Sequence, residues 1–156
     1  MGKNDDLGGI VLNKIVVVIY MGILFCLTCT ESLHEFVEHQ ALTFQWTGDP
    51  ELKSFINFTD YPFSNPSYIK QKVGHAFCFF WLAYSFILVL RNQYMIFFCS
   101  VSYALFTESA QLFFSRTGCL LDVGYDTAGI LMFFVVYRIL HWRVSPKSTL
   151  QPNKVR

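Results

Sequence analysis

Three pairs of polar side chains occur at helical spacing within apolar parts of the chain. The pairs are Lys72 and His75, Glu108 and Gln111, and Asp122 and Asp126. Residues three or four apart share one face of a helix, so each pair presents its side chains to the same side. Ionisable groups in an apolar helix are costly and usually face a bundle interior or a cavity. The spacing predicts that the three faces converge on one polar cluster.

Together with Arg116, these side chains could bind a phosphate and move protons. The candidate acids, bases and proton carriers are Glu108, Asp122, Asp126 and His75, and the candidate binding residues are Lys72, Gln111 and Arg116. Arg116 could hold a phosphate through its planar fork and Lys72 as a point charge. Carboxylates in unlike environments can divide the acid and base roles, with a histidine carrying the proton between them.

The same cluster also has a purely structural interpretation. The two cations, Lys72 and Arg116, would then neutralise two of the carboxylates and hold the bundle together. Three carboxylates against two fixed cations leave one negative charge over, which a protonated His75 or a protonated carboxylate would balance. Because such a mismatch occurs in working sites and in ion-pair networks alike, both interpretations stay open.

No metal and no other cofactor is predicted. His75 with Glu108 and Asp122 could in principle bind a divalent ion, but the two nearby cations would compete for the carboxylates. The histidines in the stretch 34–39 are five residues apart, whereas a zinc-binding helix needs them four apart. Four of the five cysteines lie in apolar runs, where a free thiol behaves as a small hydrophobic group.

The composition identifies the elements that must position the cluster. Of the 156 residues, 53% are hydrophobic and 15% are charged, whereas a soluble domain carries about 25% charged residues. Four stretches have, or nearly have, the length and apolarity of a membrane span: Ile10 to Thr30, Val73 to Leu90, Tyr94 to Phe114 and Leu120 to Leu140. We predict an all-α integral membrane protein with four transmembrane helices. A net charge of +1 with scattered basic residues argues against nucleic-acid binding.

The distribution of lysine and arginine predicts the orientation. The tail, residues 142–156, is basic and has no acid, so we expect it in the cytoplasm. Four spans then also place residues 1–9 in the cytoplasm, with a membrane domain over residues 10–141. Residues 31–72 form an extracytoplasmic cap loop in this arrangement, with residues 30–41 extending the first helix. The cluster belongs to the outer leaflet, because Asp126 is about 9 Å along its helix from the outer end.

At these positions the chain resembles the VanZ-like family of bacterial membrane proteins. The family pattern runs Asp-Lys-x-x-His, then Glu-x-x-Gln, an Arg, and Asp-x-x-x-Asn-x-x-Gly. The matching residues are Lys72, His75, Glu108, Gln111, Arg116, Asp122 and Gly129. The resemblance covers roughly residues 71–129, and Gly129 is also a small residue that would let a neighbouring helix approach closely.

Three departures from the family pattern affect the cluster. Gln71 replaces the usual Asp, Asp126 replaces the usual Asn, and the segment between Gln111 and Arg116 is one residue short. The two replacements exchange an acid for an amide and an amide for an acid. The total charge is therefore kept, as expected for a rearranged version of the same site, and an altered activity is equally compatible with these changes.

The resemblance implies a role at the outer face of the bacterial cell membrane. The founding member of the family is associated with low-level resistance to the glycopeptide teicoplanin. The implied partners are membrane lipids or a lipid-linked cell-wall precursor, with the glycopeptide affected indirectly. A non-catalytic interaction protein is the alternative, and a small transporter or proton relay fits less well, because no inverted repeat is visible. Whether the protein is an enzyme, and its oligomeric state, stay open from the sequence.

Overall fold

The protein is all-helical in the computed structural model, which describes residues 2–30, 43–50, 52–57, 64–114, 116 and 118–144. The helices are α1 (Gly2–Cys29), α2 (Pro66–Ile87), α3 (Gln93–Gln111) and α4 (Leu120–Val144). Short 3-10 turns span Ser54–Ile56 and Leu112–Phe114. These ranges contain no strand, which confirms the all-α part of the predicted fold class for the part of the chain described.

Asparagine side chains cap the first turns of α2 and α3. Asn65 accepts a hydrogen bond from the Ser67 amide at 2.9 Å, and Asn92 accepts one from the Tyr94 amide at 2.9 Å. Pro66 occupies the first turn of α2, where its missing N–H costs nothing. This cap makes α2 begin well before the predicted span, so residues 66–72 belong to the helix and not to the predicted loop.

Three helical stretches are long and apolar enough to cross a membrane: Gly8–Cys29, Gln93–Phe114 and Leu120–Trp142. They correspond to three of the four predicted spans. Helix α2 has 22 residues, a sufficient length, but it is not among them. Its first turns carry Lys70, Lys72 and His75, so residues of the candidate cluster themselves lower its hydropathy.

Helices α1 and α2 pack side by side and run antiparallel. The Asn13 side-chain amide donates to the carbonyl of Leu88 at 3.3 Å, and the Tyr20 hydroxyl donates to the carbonyl of Cys78 at 2.8 Å. From Asn13 to Tyr20 the residue number rises along α1, while that of the contacted residue falls from Leu88 to Cys78. The two helices therefore run in opposite directions. In both contacts a side-chain donor of α1 reaches a main-chain carbonyl, within α2 at Cys78 and at its C-cap residue Leu88.

Helices α2 and α4 run parallel and touch at a glycine. A Cβ atom built on Gly129 would overlap the carbonyl oxygen of Ala76 and lie 2.8 Å from its Cα atom. Further along, the rings of Phe80 and Phe133 meet edge to face at 5.7 Å. The close approach predicted for Gly129 is confirmed. Because only residues 88–92 connect α2 to α3, α3 runs back in the opposite direction and packs against both of the parallel helices.

Large apolar side chains lie both inside and outside the bundle. Phe79, Leu82 and Ile130 are fully buried at its centre, whereas Val18 is 67% exposed and Phe98 is 63% exposed on its surface. A soluble monomer rarely exposes such a continuous apolar surface. The surface of the bundle therefore suits the hydrocarbon interior of a membrane.

Part of the predicted cap lies against the end of α3. The Thr47 amide donates to the carbonyl of Phe113 at 2.9 Å, and Trp46 stacks on the Phe113 ring at 5.6 Å. The predicted helical extension over residues 30–41 falls almost entirely outside the described residues.

Candidate functional site

The polar side chains singled out from the sequence meet at one end of the bundle. The N-terminal turns of α2 and α4 and the C-terminal turn of α3 lie together there because α3 runs opposite to the other two. Glu108 and Asp126 are completely buried, at 0% exposure. Buried charges need partners, so the contacts of each residue decide what the cluster can do.

Lys72 and Asp122 form a buried ion pair between α2 and α4. The Lys72 Nζ atom donates to Asp122 Oδ2 at 2.6 Å, and the two side chains are 10% and 5% exposed. The ammonium group also lies 4.8 Å from the ring centroid of Tyr68, a cation–π distance. In the structural interpretation of the cluster a cation neutralises Asp122, and the cation in contact with Asp122 is Lys72.

Glu108 is held by two donors. The Gln111 side-chain amide donates to Glu108 Oε1 at 2.8 Å, and the main-chain N–H of Cys119 donates to Oε2 at 3.1 Å. The loop can come this close because residue 118 is a glycine. Any Cβ atom at that position would overlap the carbonyl oxygen of Glu108. An ionised carboxylate acts only as an acceptor, which is the role that both contacts give it.

His75 and Asp126 lie close together without forming a hydrogen bond. The His75 Nδ1 atom is 3.6 Å from Asp126 Oδ1 and 3.9 Å from Glu108 Oε1, and both distances exceed the range of a hydrogen bond. Within the described ranges, neither carboxylate oxygen of Asp126 has a hydrogen-bond partner. These three residues each offer a ligand atom within 4.8 Å of the others, so they could hold a metal ion. The set contains Asp126, and not the Asp122 considered from the sequence.

Arg116 has a different partner from the one expected. Its Nη1 atom donates to the main-chain carbonyl of Thr30, just beyond the end of α1. Among the residues that the structure describes, no carboxylate forms an ion pair with Arg116, so the predicted neutralisation of Glu108 or Asp122 by Arg116 is replaced by a backbone contact. Burial lowers the pKa of Arg116, but an arginine starts so far above neutral pH that it stays charged.

A groove with a volume of about 290 Å³ opens between α2 and α4 beside the ion pair. Lys72 and the rings of Tyr68 and Tyr125 line it together with small or aliphatic residues such as Ala128. Val73, also in its wall, is 63% exposed on the apolar surface of the bundle. The groove is therefore largely apolar, and Lys72 is the charged residue in its lining.

Comparisons with known proteins identify the family to which the chain belongs. A model of the VanZ/LLP1 family matches residues 17–141. The chain belongs to the VanZ/LLP1 family. It is also similar to the uncharacterized membrane protein YwnJ of Bacillus subtilis (strain 168), with 34% identity over 129 residues, covering 81% of this chain and 90% of the relative. No solved structure matches it. The resemblance to the VanZ-like family is thus confirmed, and the chain is a membrane protein.

Several groups that complete the site of this VanZ/LLP1 protein could not be identified from the sequence. The amide of Cys119 and the carbonyl of Thr30 are main-chain groups, which leave no signature in residue types. Tyr68 lies one turn before Lys72, and nothing in the sequence distinguishes it from the other aromatic residues. Gly118 did carry a signal, because a glycine in a short turn often marks a close approach of the backbone.

Proposed function

We propose that this VanZ/LLP1 protein crosses the membrane four times and recognises a phosphate-bearing lipid headgroup, or a lipid-linked wall precursor, at the outer face. Four crossings are supported by the packing of α2 along the length of α1 and α4, since both neighbours are apolar enough to span. The basic residues at the C-terminal end support cytoplasmic termini. With that orientation, the cluster faces the outer leaflet.

The groove between α2 and α4 is the observation that carries this proposal. Its apolar lining suits an acyl or isoprenoid chain. Lys72 also lines the groove and would contact the headgroup attached to that chain. A lysine ammonium has three N–H donors, and Lys72 makes one hydrogen bond among the described residues. A phosphate oxygen could accept a second hydrogen bond next to Asp122.

Reduced susceptibility to teicoplanin is the cellular effect that we propose for this recognition. The proposal draws on the family resemblance and on a site that would meet lipid-linked wall precursors at the outer face. The acid–base roles of Glu108, Asp122, Asp126 and His75 belong to the same proposal, as does the binding role of Gln111. In the described residues, Gln111 contacts Glu108 and so would act by positioning that carboxylate.

Lipid retention tests the groove directly. The protein is purified in mild detergent and bound phosphatidylglycerol is measured by native mass spectrometry in wild type, Ala128→Phe and Lys72→Gln. Ala128 is exposed in the groove, so phenylalanine there would block the groove without entering the core. We expect both variants to lose lipid. Leu131→Phe, at a position 50% exposed outside the groove, and Lys70→Gln serve as controls that retain it. Wild-type lipid retention by Ala128→Phe would contradict the proposal.

Susceptibility assays test the cellular effect. Wild type, Ala128→Phe and Leu131→Phe are expressed at matched levels in a susceptible Gram-positive host, and teicoplanin and vancomycin are compared side by side. We expect selective protection against teicoplanin by wild type and Leu131→Phe. Equal susceptibility with and without the wild-type protein would show that the resistance role does not apply to this chain.

A non-catalytic brace is the second candidate, and specific contacts favour it. Lys72 is already paired with Asp122, and Arg116 already holds the carbonyl of Thr30. A brace would keep its function when the charges of Lys72 and Asp122 are exchanged, since an ion pair has no preferred direction. A headgroup site would lose lipid in that double variant, because the ammonium group would leave α2.

A further inference from the structure

Asp126 is a fully buried member of the cluster whose burial is not explained by hydrogen bonds to the described residues. Its side chain is 0% exposed, and neither carboxylate oxygen has a hydrogen-bond partner among the residues described. The Nδ1 atom of His75 is likewise buried without a hydrogen bond, 3.6 Å from Asp126 Oδ1. A buried carboxylate without a compensating partner destabilises the folded protein. A cation shared by these two residues would satisfy both.

Glu108 completes a set of three possible ligands. Its Oε1 atom is 3.9 Å from His75 Nδ1, and one ligand atom from each of the three residues lies within 4.8 Å of the others. In a tetrahedral zinc site with bonds of about 2.0–2.1 Å, neighbouring ligand atoms are roughly 3.4 Å apart. The two distances from His75 exceed this value by only a few tenths of an ångström, which a small rotation of the side chains would close.

The surroundings of Glu108 suit a ligand that is held in place. Gln111 donates to one carboxylate oxygen and the Cys119 amide to the other, at 2.8 Å and 3.1 Å. Each oxygen keeps a further lone pair for a metal, and carboxylates that bind metals are usually fixed by such outer hydrogen bonds. Two donors from different elements therefore orient this carboxylate before any ion binds.

The cations that could compete for the carboxylates are engaged elsewhere. Lys72 pairs with Asp122, and Arg116 with the carbonyl of Thr30. Asp126 and Glu108 thus form no ion pair with a lysine or an arginine among the described residues, and His75 is the basic side chain next to both. The objection that the sequence raised against a metal does not apply to this arrangement, since two carboxylates would balance one divalent ion.

We propose that His75, Glu108 and Asp126 bind one divalent transition-metal ion between α2, α3 and α4. One imidazole nitrogen with two carboxylate oxygens suits ions such as Zn²⁺ and Mn²⁺. Three protein ligands leave further coordination positions for water or for a ligand oxygen. This inference stands on the three residues alone and does not depend on lipid recognition.

Manganese is the probe of choice for the test. Free thiols such as those of Cys26 and Cys29 could compete for Zn²⁺, whereas Mn²⁺ prefers oxygen and imidazole ligands. The full chain is purified in detergent, stripped with a chelator and titrated with Mn²⁺, and free Mn²⁺ is followed by electron paramagnetic resonance. We expect one Mn²⁺ per chain, and binding weakened by about tenfold or more in Asp126→Asn. Asp49→Asn, the same change at an exposed loop position, is the control that binds as wild type does.

A spectroscopic measurement on wild type keeps the test independent of folding in the variants. Pulsed electron paramagnetic resonance of bound Mn²⁺ should show coupling to one imidazole nitrogen, and His75→Gln should lose it. Absence of this coupling in wild type, absence of binding, or wild-type affinity in Asp126→Asn would each overturn the proposal. Because no lipid is added, the result is separate from that of the lipid-retention assay.

Discussion

The carbonyl oxygen of Ala76 occupies the space in which any side chain at Gly129 would begin. This contact lies deeper in the bundle than the Lys72–Asp122 pair. It brings α2 and α4 together and so sets which residues of the two helices face each other. The candidate site therefore depends on a packing contact that involves no polar side chain.

Gly129→Ala should destabilise the bundle. The new Cβ atom would overlap main-chain atoms of Ala76, which cannot rotate away, and the helices would have to separate. We expect a loss of about 1–3 kcal/mol, the usual effect of overpacking. Thermal unfolding in detergent measures it, with Gly124→Ala in the same helix as the control, because a Cβ atom there meets nothing within 4 Å. Equal melting temperatures for the two variants would contradict the close approach.

Lys72→Met should destabilise the protein more than the double variant Lys72→Met/Asp122→Leu. The single change leaves Asp122 buried without its cation, which costs about 3–5 kcal/mol, whereas replacing both charges is often neutral. A double-mutant cycle of unfolding in denaturant measures the coupling, and Lys70→Met, at an exposed position, provides the matched control. Additive effects of the two single changes would argue against the ion pair.

Arg116→Ala should loosen the end of α1. The substitution removes the charged donor from the carbonyl of Thr30, which is fully buried. A hydrogen bond to a charged group contributes about 1.5–3 kcal/mol, so we expect a loss of stability of that order. Arg91→Ala, in the exposed connection between α2 and α3, should change stability little. If the two alanine variants unfold alike, the Arg116 contact makes no net contribution.

The proposed orientation predicts which positions a reagent outside the cell can reach. In a variant whose five natural cysteines are replaced by serine or alanine, Gly48→Cys should react with a membrane-impermeant maleimide on intact cells. Asn92→Cys should react only after permeabilisation. Both positions are exposed and lie outside the helices. The reverse pattern would invert the topology and move the polar cluster to the cytoplasmic face.

Residue spacing predicted several relationships that lie within a single helix or depend on a residue's size. Glu108 and Gln111 do share a face and hydrogen-bond to each other, because three residues bring a helix almost once around. The need for a small residue at position 129 could also be predicted. The boundary of α2 was less accessible, since its start at Pro66 depends on the cap that Asn65 provides.

Composition and periodicity by themselves determined that this is an all-helical membrane protein, and they identified which polar residues share a face. Only the tertiary structure decided that Asp122 pairs with Lys72, that Asp126 lies beside His75, and that Arg116 holds a backbone carbonyl. The reason is geometric. Helical spacing sets directions around one helix axis, whereas partners on different helices depend on relative rotation and height. Close packing at contacts such as Ala76 and Gly129 sets those two quantities.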